Sequence, residues 1–167
     1  LLGAFFNEIH EAHQKAKQSG TDWPEVQIER IWSRVLGIGD MARARQFAIE
    51  FEILANPVWP MPHLETLLTA CRKACLPMGI ISNAQFYTPL ILQWFLKSDL
   101  TDLGFEKNLL IYSFRTGCAK PSPGLFNLAA DKLKEMEILP ETVLYVGNDL
   151  RKDILPAKKT GFQTALF

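Results

Sequence analysis

Short apolar runs rich in β-forming residues alternate with helical patterns over residues 63–167. The runs are Met78–Ile81, Leu109–Tyr112, Val143–Val146 and Gln163–Phe167. Polar residues follow each of the first three runs, and apolar residues between the runs recur at helical spacing. This alternation predicts parallel strands joined by crossover helices, which is the α/β class with a doubly wound parallel sheet.

The first part of the chain carries helical patterns alone. Apolar residues recur every three or four positions over about residues 4–18, 28–36 and 40–54. Gly37 is placed to end the second helix in the left-handed conformation. Short links between the patterns predict a bundle of three helices.

Three prolines in Asn56–Pro62 force extended backbone and mark a boundary. We therefore divide the chain into a helical unit, residues 1–57, and an α/β unit, residues 58–167. The chain begins without Met and has apolar residues at both ends. We expect it to be a piece of a longer protein.

Four helices are predicted in the α/β unit. The first runs from about His63 to Leu76 and buries Leu67 and Cys75. The second has Thr88 as its N-cap and Pro89 in its first turn, and the third begins in the same way at Ser122-Pro123. The fourth runs from about Asp153 to Thr160. Trp94 in the second of these helices is expected to be buried.

Charge and cysteine content exclude several classes of function. Eighteen basic and eighteen acidic residues cancel, so neither nucleic acid nor a membrane surface is an expected partner. No apolar run is long enough to span a membrane. Three cysteines without a C-x-x-C pair indicate neither a disulfide framework nor a zinc site, and favour a cytoplasmic protein. His10 and His13 lie one helical turn apart, but without a third ligand we interpret them as one packed and one solvated histidine.

Polar residues of complementary types follow three of the predicted strands. Ser82 and Asn83 follow the first, Lys120 lies in the loop after the second, and Asn148, Asp149 and Asp153 follow the third. The carboxyl ends of parallel strands meet at one edge of a sheet, so these residues could surround one phosphoryl group and a magnesium ion. The alternatives are structural: Ser82 may cap a turn, Lys120 may be a solvated loop lysine, and Asp153 may only cap the next helix.

The order of these motifs resembles motifs two, three and four of the haloacid dehalogenase-like (HAD) hydrolase superfamily. They are a strand that ends in Ser-Asn, the element Lys-Pro-x-Pro-x-x-x-Phe, and a strand that ends in Gly-Asn-Asp-x-x-x-Asp. The helical residues 1–57 are similar to the cap that this family inserts after its first strand.

The resemblance implies a role for each site residue. Ser82 and Asn83 would bind the phosphoryl oxygens, and Lys120 would neutralise negative charge on the nucleophile and the phosphoryl group. Asn148, Asp149 and Asp153 would hold Mg²⁺, directly or through water. Asn148 departs from the family pattern, which usually has Asp at that position, so the identity of the direct metal ligand is open.

The family's nucleophile is the first Asp of an Asp-x-Asp motif, and this sequence contains none. The resemblance therefore implies a Mg²⁺-dependent phosphatase of a small phosphorylated metabolite, with its nucleophile outside residues 1–167. The alternative functions are a metal-free haloacid dehalogenase and a non-catalytic protein that binds a ligand or a partner. The oligomeric state is open, and a homodimer is one possibility. The family arrangement also implies that a strand outside this sequence lies between the strands that end at Ser82 and Asn148, so we expect no direct pairing of those two strands.

Overall fold

The computed structural model describes residues 1–167 and contains eight α-helices and four β-strands. The helices are α1 (Leu2–Gln18), α2 (Ile28–Leu36), α3 (Met41–Ala55), α4 (Leu64–Lys73), α5 (Tyr87–Leu96), α6 (Ser113–Thr116), α7 (Pro123–Glu135) and α8 (Leu155–Lys159). The strands are β1 (Met78–Ser82), β2 (Phe105–Tyr112), β3 (Leu144–Gly147) and β4 (Gln163–Leu166). A 3₁₀ turn at Pro140–Thr142 precedes β3, and a π-helical turn at Leu150–Ile154 precedes α8.

The four strands form two parallel pairs. β1 pairs with β2, with Ser82 opposite Tyr112, and β3 pairs with β4, with Tyr145 opposite Thr164. No ladder joins β1 to β3, as expected. The α/β class with parallel strands and helical connections is confirmed, and the carboxyl ends of β1 and β3 carry the polar residues that the sequence analysis selected.

One apolar cluster lies between β2 and the helices that follow it. It consists of Leu109, Ile111, Leu125, Phe126, Ala129, Leu133, Ala157 and Phe162. Burial of these side chains fixes α7 and α8 against the strands. This packing sets the position of the loops that lead into α7 and α8, which contain Lys120 and Asp153.

A second apolar cluster holds the helical part of the chain together. Its buried members are Phe5, Ile28, Ile31, Trp32, Ala48 and Tyr87. Trp32 lies at its centre, stacked on Phe5 with ring centroids 4.2 Å apart and tilted against Phe51 at 4.8 Å. Because Tyr87 belongs to α5, this cluster extends from α1–α3 to the first residues after β1.

Local residues set several helix ends, and those at Gly37 and Ser122 were predicted. The Asp40 side chain accepts a hydrogen bond from the amide of Ala42 at 2.8 Å and caps α3. Gly37 ends α2 with a φ of 65°, in the left-handed region. Ser122 caps α7 by accepting from the amide of Gly124 at 3.3 Å.

Two helix predictions are wrong in detail. Helix α4 ends at Lys73 rather than at Leu76. Leu68 is its one buried residue, whereas Leu67 is 60% exposed and Cys75, beyond the end of the helix, is exposed. Helix α5 begins at Tyr87, so Thr88 is not its N-cap; the Thr88 hydroxyl instead accepts from the amide of Gln85 at 3.2 Å. Trp94 is also 73% exposed instead of buried.

None of the helices combines the length and the apolar character needed to cross a bilayer.

Candidate functional site

An ion pair between Lys120 and Asp153 forms the centre of the candidate site. Lys120 Nζ lies 2.5 Å from Asp153 Oδ1, and the two side chains are only 11% and 7% exposed. The same ammonium donates to the Ile81 carbonyl at 3.1 Å and to the Tyr145 hydroxyl at 3.2 Å. The three hydrogens of the ammonium therefore each have a partner at the end of β1 or β3.

The environment of Asp153 stabilises its ionised form. Oδ1 accepts from Lys120 and from Tyr145, and Oδ2 accepts from the amide of Asp149 at 3.1 Å. Burial alone would raise the pKa of Asp153, but the hydrogen bond and charge of Lys120 and the bond from Tyr145 outweigh it, so this pKa is lowered. Asp153 therefore does not cap the next helix.

Tyr145 is a site residue that the sequence analysis missed. Its hydroxyl lies 3.0 Å from Asp153 Oδ1 and 3.3 Å from the carbonyl oxygen of Ile81. Burial and the nearby charge of Asp153 raise the pKa of Tyr145 above its ordinary value. In an apolar strand, a tyrosine is ordinarily interpreted as a β-forming residue. The one feature of the sequence that could have identified Tyr145 as a site residue is that it carries a polar hydroxyl among apolar side chains.

Asn83 fixes the backbone at Lys120. Its Oδ1 accepts from the amide of Lys120 at 2.6 Å, and its Nδ2 donates to the carbonyl of the same residue at 3.0 Å. The loop after β1 and the loop after β2 are thus joined at the lysine. Ser82 lies at the end of β1, half-buried, and its only hydrogen bond is to the Asn83 carbonyl at 3.3 Å.

The turn after β3 is shaped by Gly147 and Asp149. Asp149 Oδ1 accepts from the amides of Arg151 and Lys152, each at 2.8 Å, so Asp149 caps the π-helical turn. A Cβ on Gly147 would lie 2.5 Å from Asp153 Cβ, which is closer than two carbons can approach. The helix predicted from about Asp153 to Thr160 is present as α8, which begins at Leu155 because the capped π-helical turn comes first.

A second polar cluster, also missed by the sequence analysis, joins the helical part to the strand ends. Glu25 Oε2 accepts from the Ser113 hydroxyl at 2.7 Å, and Oε1 accepts from Gln85 Nε2 at 3.1 Å. The fully buried Ser113 Oγ also accepts from the amide of Ala84 at 2.9 Å. One carboxylate thus links the segment before α2 to the loops that follow β1 and β2.

Comparisons with known proteins show what parts of the chain are similar to. Residues 117–167 match a family model described as HAD-hydrolase-like. The Rhythmically expressed gene 2 protein of Drosophila melanogaster is 31% identical over 104 residues, which are 60% of this chain and 38% of that protein. The match spans less than half of that relative's length.

Solved structures share the fold. A 2-haloacid dehalogenase from Pseudomonas syringae pv. Tomato DC3000 aligns with a TM-score of 0.63 and 19% identity, over 100% of this chain and 69% of that chain. A HAD phosphatase from Thermococcus onnurineus aligns with a TM-score of 0.51 and 20% identity, over 81% of this chain and 73% of that chain. Residues 117–167 are therefore similar to the HAD-hydrolase-like family, and the fold of the chain is that of these two HAD structures.

The loop after β3 contains oxygen atoms that are not occupied by hydrogen bonds within the chain. Asp149 Oδ2 accepts no hydrogen bond within the chain, and the exposed side chain of Asn148 makes none. Mg²⁺ usually takes one or two protein carboxylates and completes its shell with water and phosphate oxygens. The residues present fit Mg²⁺ at Asp149 and Asn148. Asp153 differs, because both of its oxygens already accept hydrogen bonds.

The two histidines that the sequence places one helical turn apart do not form a metal site. His10 is exposed and His13 is half-buried with its Nε2 unpartnered. No group of three or more His, Cys, Asp or Glu side chains is arranged to hold a metal ion. The ion pair whose two side chains are both largely buried is the one between Lys120 and Asp153.

Proposed function

We propose that this chain forms the phosphate-binding part of a HAD-like phosphatase that hydrolyses a small phosphorylated metabolite with the aid of Mg²⁺. The observation that carries the proposal is the buried Lys120–Asp153 pair at the carboxyl ends of β1 and β3. A buried ammonium suits the negative charge of a phosphoryl group, and the unoccupied Asp149 Oδ2 suits the Mg²⁺ that would accompany the phosphate.

The residues of the chain would divide the work of binding. Lys120 would offer its positive charge to a phosphoryl oxygen, and that oxygen would replace the Ile81 carbonyl or the Tyr145 hydroxyl as its third partner. Asp153 would keep the ammonium charged and oriented, because its carboxylate stays ionised. The Ser82 hydroxyl, which has only one weak intramolecular bond, is free to donate to another phosphoryl oxygen.

The proposed reaction also needs a metal ion and a nucleophile. Mg²⁺, when held by Asp149 and Asn148, would neutralise charge on the phosphate. The nucleophile would be an aspartate outside residues 1–167, which would form an aspartyl-phosphate as the bond from phosphorus to the leaving group breaks. A second carboxylate beside it would protonate the leaving group, and water would then hydrolyse the aspartyl-phosphate to release phosphate. Lys120 would stabilise the negative charge on the nucleophile and on the phosphoryl group as the aspartate attacks.

One observation favours a second candidate function, metal-free dehalogenation of a small haloacid. Both oxygens of Asp153 accept hydrogen bonds, from Lys120, Tyr145 and the Asp149 amide. This carboxylate therefore pairs with the lysine and is not free to bind a metal ion. By the resemblance, a dehalogenase would use the same aspartate nucleophile without a metal ion. A protein that only binds a ligand through this site is the third candidate.

The test uses the full-length protein and p-nitrophenyl phosphate, with and without Mg²⁺. We expect turnover that requires Mg²⁺ and falls about 100-fold or more in Lys120→Met, Asp149→Asn and Asp153→Asn. Lys134→Met and Asp131→Asn are the matched controls, because both residues are exposed on α7, and they should keep the parent rate.

Each other outcome selects a rival. Full turnover in excess chelator would contradict the role of Mg²⁺. Halide release from 2-chloropropionate in chelator, without phosphate release, would establish the dehalogenase. Absence of both activities in a folded full-length protein would leave a binding protein.

A further inference from the structure

A cleft of about 390 Å³ lies where α2 faces the loop after β2. Residues 25–27 and the first two turns of α2 form one wall, and Phe114 to Gly117 form the other. Ligand sites for small molecules usually have volumes of about 300 to 1,000 Å³, so this cleft is large enough for a small organic anion. It shares no lining residue with the Lys120–Asp153 cluster.

Three arginines, Arg30, Arg34 and Arg115, line this cleft. Arg34 Nε pairs with Glu8 at 2.7 Å, whereas the side chains of Arg30 and Arg115 have no acidic partner and make no hydrogen bond. The chain as a whole is neutral, with 18 basic and 18 acidic residues, so this concentration of guanidinium groups is local. Like charges that face one cleft repel one another unless an anion lies between them.

The only carboxylate in the lining, Glu25, does not neutralise these arginines. Its Oε1 accepts from the amide of Val26 at 3.0 Å and from Gln85 Nε2 at 3.1 Å. Its Oε2 accepts from the Ser113 hydroxyl at 2.7 Å. Neutral donors therefore hold the carboxylate on the wall of the cleft, and the guanidinium groups remain available to a ligand.

Arg115 is held in place by aromatic rings rather than by an acid. Its Cζ lies 5.3 Å from the ring centroid of Tyr112 and 5.4 Å from that of Phe114. Stacking of this kind limits the rotation of the side chain and leaves the N–H groups at the edge of the guanidinium plane unpaired. The planar fork of Arg matches the oxygens of a phosphate or a carboxylate in pairs.

We propose that this cleft is a binding site for a small molecule with two anionic groups, one bound by Arg115 and the other by Arg30. The shared chemistry is that of a compact oxyanion pair, as in a diphosphate or a dicarboxylate. Arg34 lies on the next turn of α2 and is paired with Glu8, so the two arginines assigned to the ligand are those without an acidic partner. The proposal rests on the cleft and its arginines, and it holds whether or not the phosphatase proposal is correct.

The test measures binding of inorganic pyrophosphate and, separately, of succinate to the full-length protein by titration calorimetry. We expect one of the two anions to bind, and Arg30→Gln and Arg115→Gln each to weaken it about tenfold, the loss expected for one charge-assisted contact. Arg43→Gln is the matched control, because Arg43 is exposed on α3 and makes no contact with the cleft. Tighter binding of pyrophosphate would indicate that the cleft takes a diphosphate, and tighter binding of succinate that it takes a dicarboxylate.

A second measurement locates the bound anion. Phenylglyoxal modifies exposed arginines, and mass spectrometry reports each site; the bound anion should protect Arg30 and Arg115 about fivefold or more and leave Arg43 unprotected. Protection of all three arginines to the same degree would show general screening of charge and overturn the proposal. Absence of binding by both anions, or parent affinity in both folded variants, would overturn it as well.

Discussion

Tyr145 and Asp153 meet through a hydrogen bond of 3.0 Å from the phenol to carboxylate Oδ1, the same oxygen that binds Lys120. The two residues come from β3 and from the turn that follows it, eight positions apart in the chain. The phenol also reaches the Ile81 carbonyl of β1. Tyr145 therefore joins the two strand pairs through side-chain contacts at the place where no backbone ladder connects them.

Substitution of Tyr145 by Phe should lower the free energy of unfolding by about 1 to 2 kcal/mol, because a hydrogen bond to a charged acceptor is lost in a buried site. Urea unfolding at neutral pH measures the change. Tyr112→Phe is the matched control, since the Tyr112 hydroxyl is buried without a partner, and it should leave stability unchanged or slightly higher. Equal losses in the two variants would contradict the bond between Tyr145 and Asp153.

The stability of the fold should depend on pH through Asp153. The folded-state pKa of Asp153 lies below the ordinary Asp value of about 3.9, so the ionised carboxylate stabilises the fold fully above that value. This contribution is lost as the pH falls through the folded-state pKa. Asp153→Asn should therefore destabilise the protein by about 3 to 5 kcal/mol at neutral pH, since it leaves the Lys120 charge buried and unpaired.

Urea unfolding of parent and Asp153→Asn proteins between about pH 7 and pH 2 tests this pH dependence. The difference between the two should narrow below about pH 4. Asp131→Asn, at an exposed position on α7, should parallel the parent throughout. A difference that stays constant down to the lowest pH would show that Asp153 does not act through its charge.

Removal of the Ser113 hydroxyl should weaken the link between the helical part and the strand ends. Ser113→Ala leaves the buried amide of Ala84 without its acceptor and Glu25 without its shortest donor, at a cost of about 1 to 3 kcal/mol in unfolding free energy. Ser98→Ala is the control, because the Ser98 hydroxyl makes only a 3.4 Å contact with the next carbonyl. Parent stability in Ser113→Ala would contradict this role.

Local features of the fold could be predicted from the sequence, and side-chain pairing across the chain could not. The caps at Asp40 and Ser122 depend on neighbours two residues away, so their residue types suffice to identify them. The strands and their polar ends follow from short apolar runs and their breaks. The bond between Glu25 and Ser113 joins residues 88 positions apart, and neither residue type indicates the other.

Periodicity also failed to say which apolar residues are covered. Phe5 and Phe6 are adjacent in the predicted stripe of α1, yet Phe5 is buried on Trp32 and Phe6 is 63% exposed. Leu54 at the end of α3 is 84% exposed. A helical pattern gives the direction of an apolar face, and the elements that pack against that face decide its extent. Ser82, Asn83, Asn148 and Asp149 could be selected from the sequence because they lie at or directly after strand ends, and their functional roles stay predictions.

Gly147→Ala should disturb the site more than its size suggests. Gly147 is buried at the end of β3, and an added Cβ would meet Asp153 Cβ at 2.5 Å and Cγ at 2.8 Å. The alanine must push the carboxylate away from Lys120 or move the turn, which should cost about 1 to 3 kcal/mol of unfolding free energy.

The matched substitution Gly3→Ala separates this clash from the general effect of replacing glycine. Nothing lies within 4 Å of a Cβ at Gly3, which is in α1, so alanine there should stabilise the protein by about 0.5 to 1 kcal/mol through its higher helix propensity. The pH dependence assigned to Asp153 should also shrink in Gly147→Ala, because a displaced carboxylate no longer pairs with Lys120, and it should persist in Gly3→Ala. If Gly147→Ala keeps both the stability and the pH dependence of the parent, the close packing of Gly147 on Asp153 does not hold the ion pair in place.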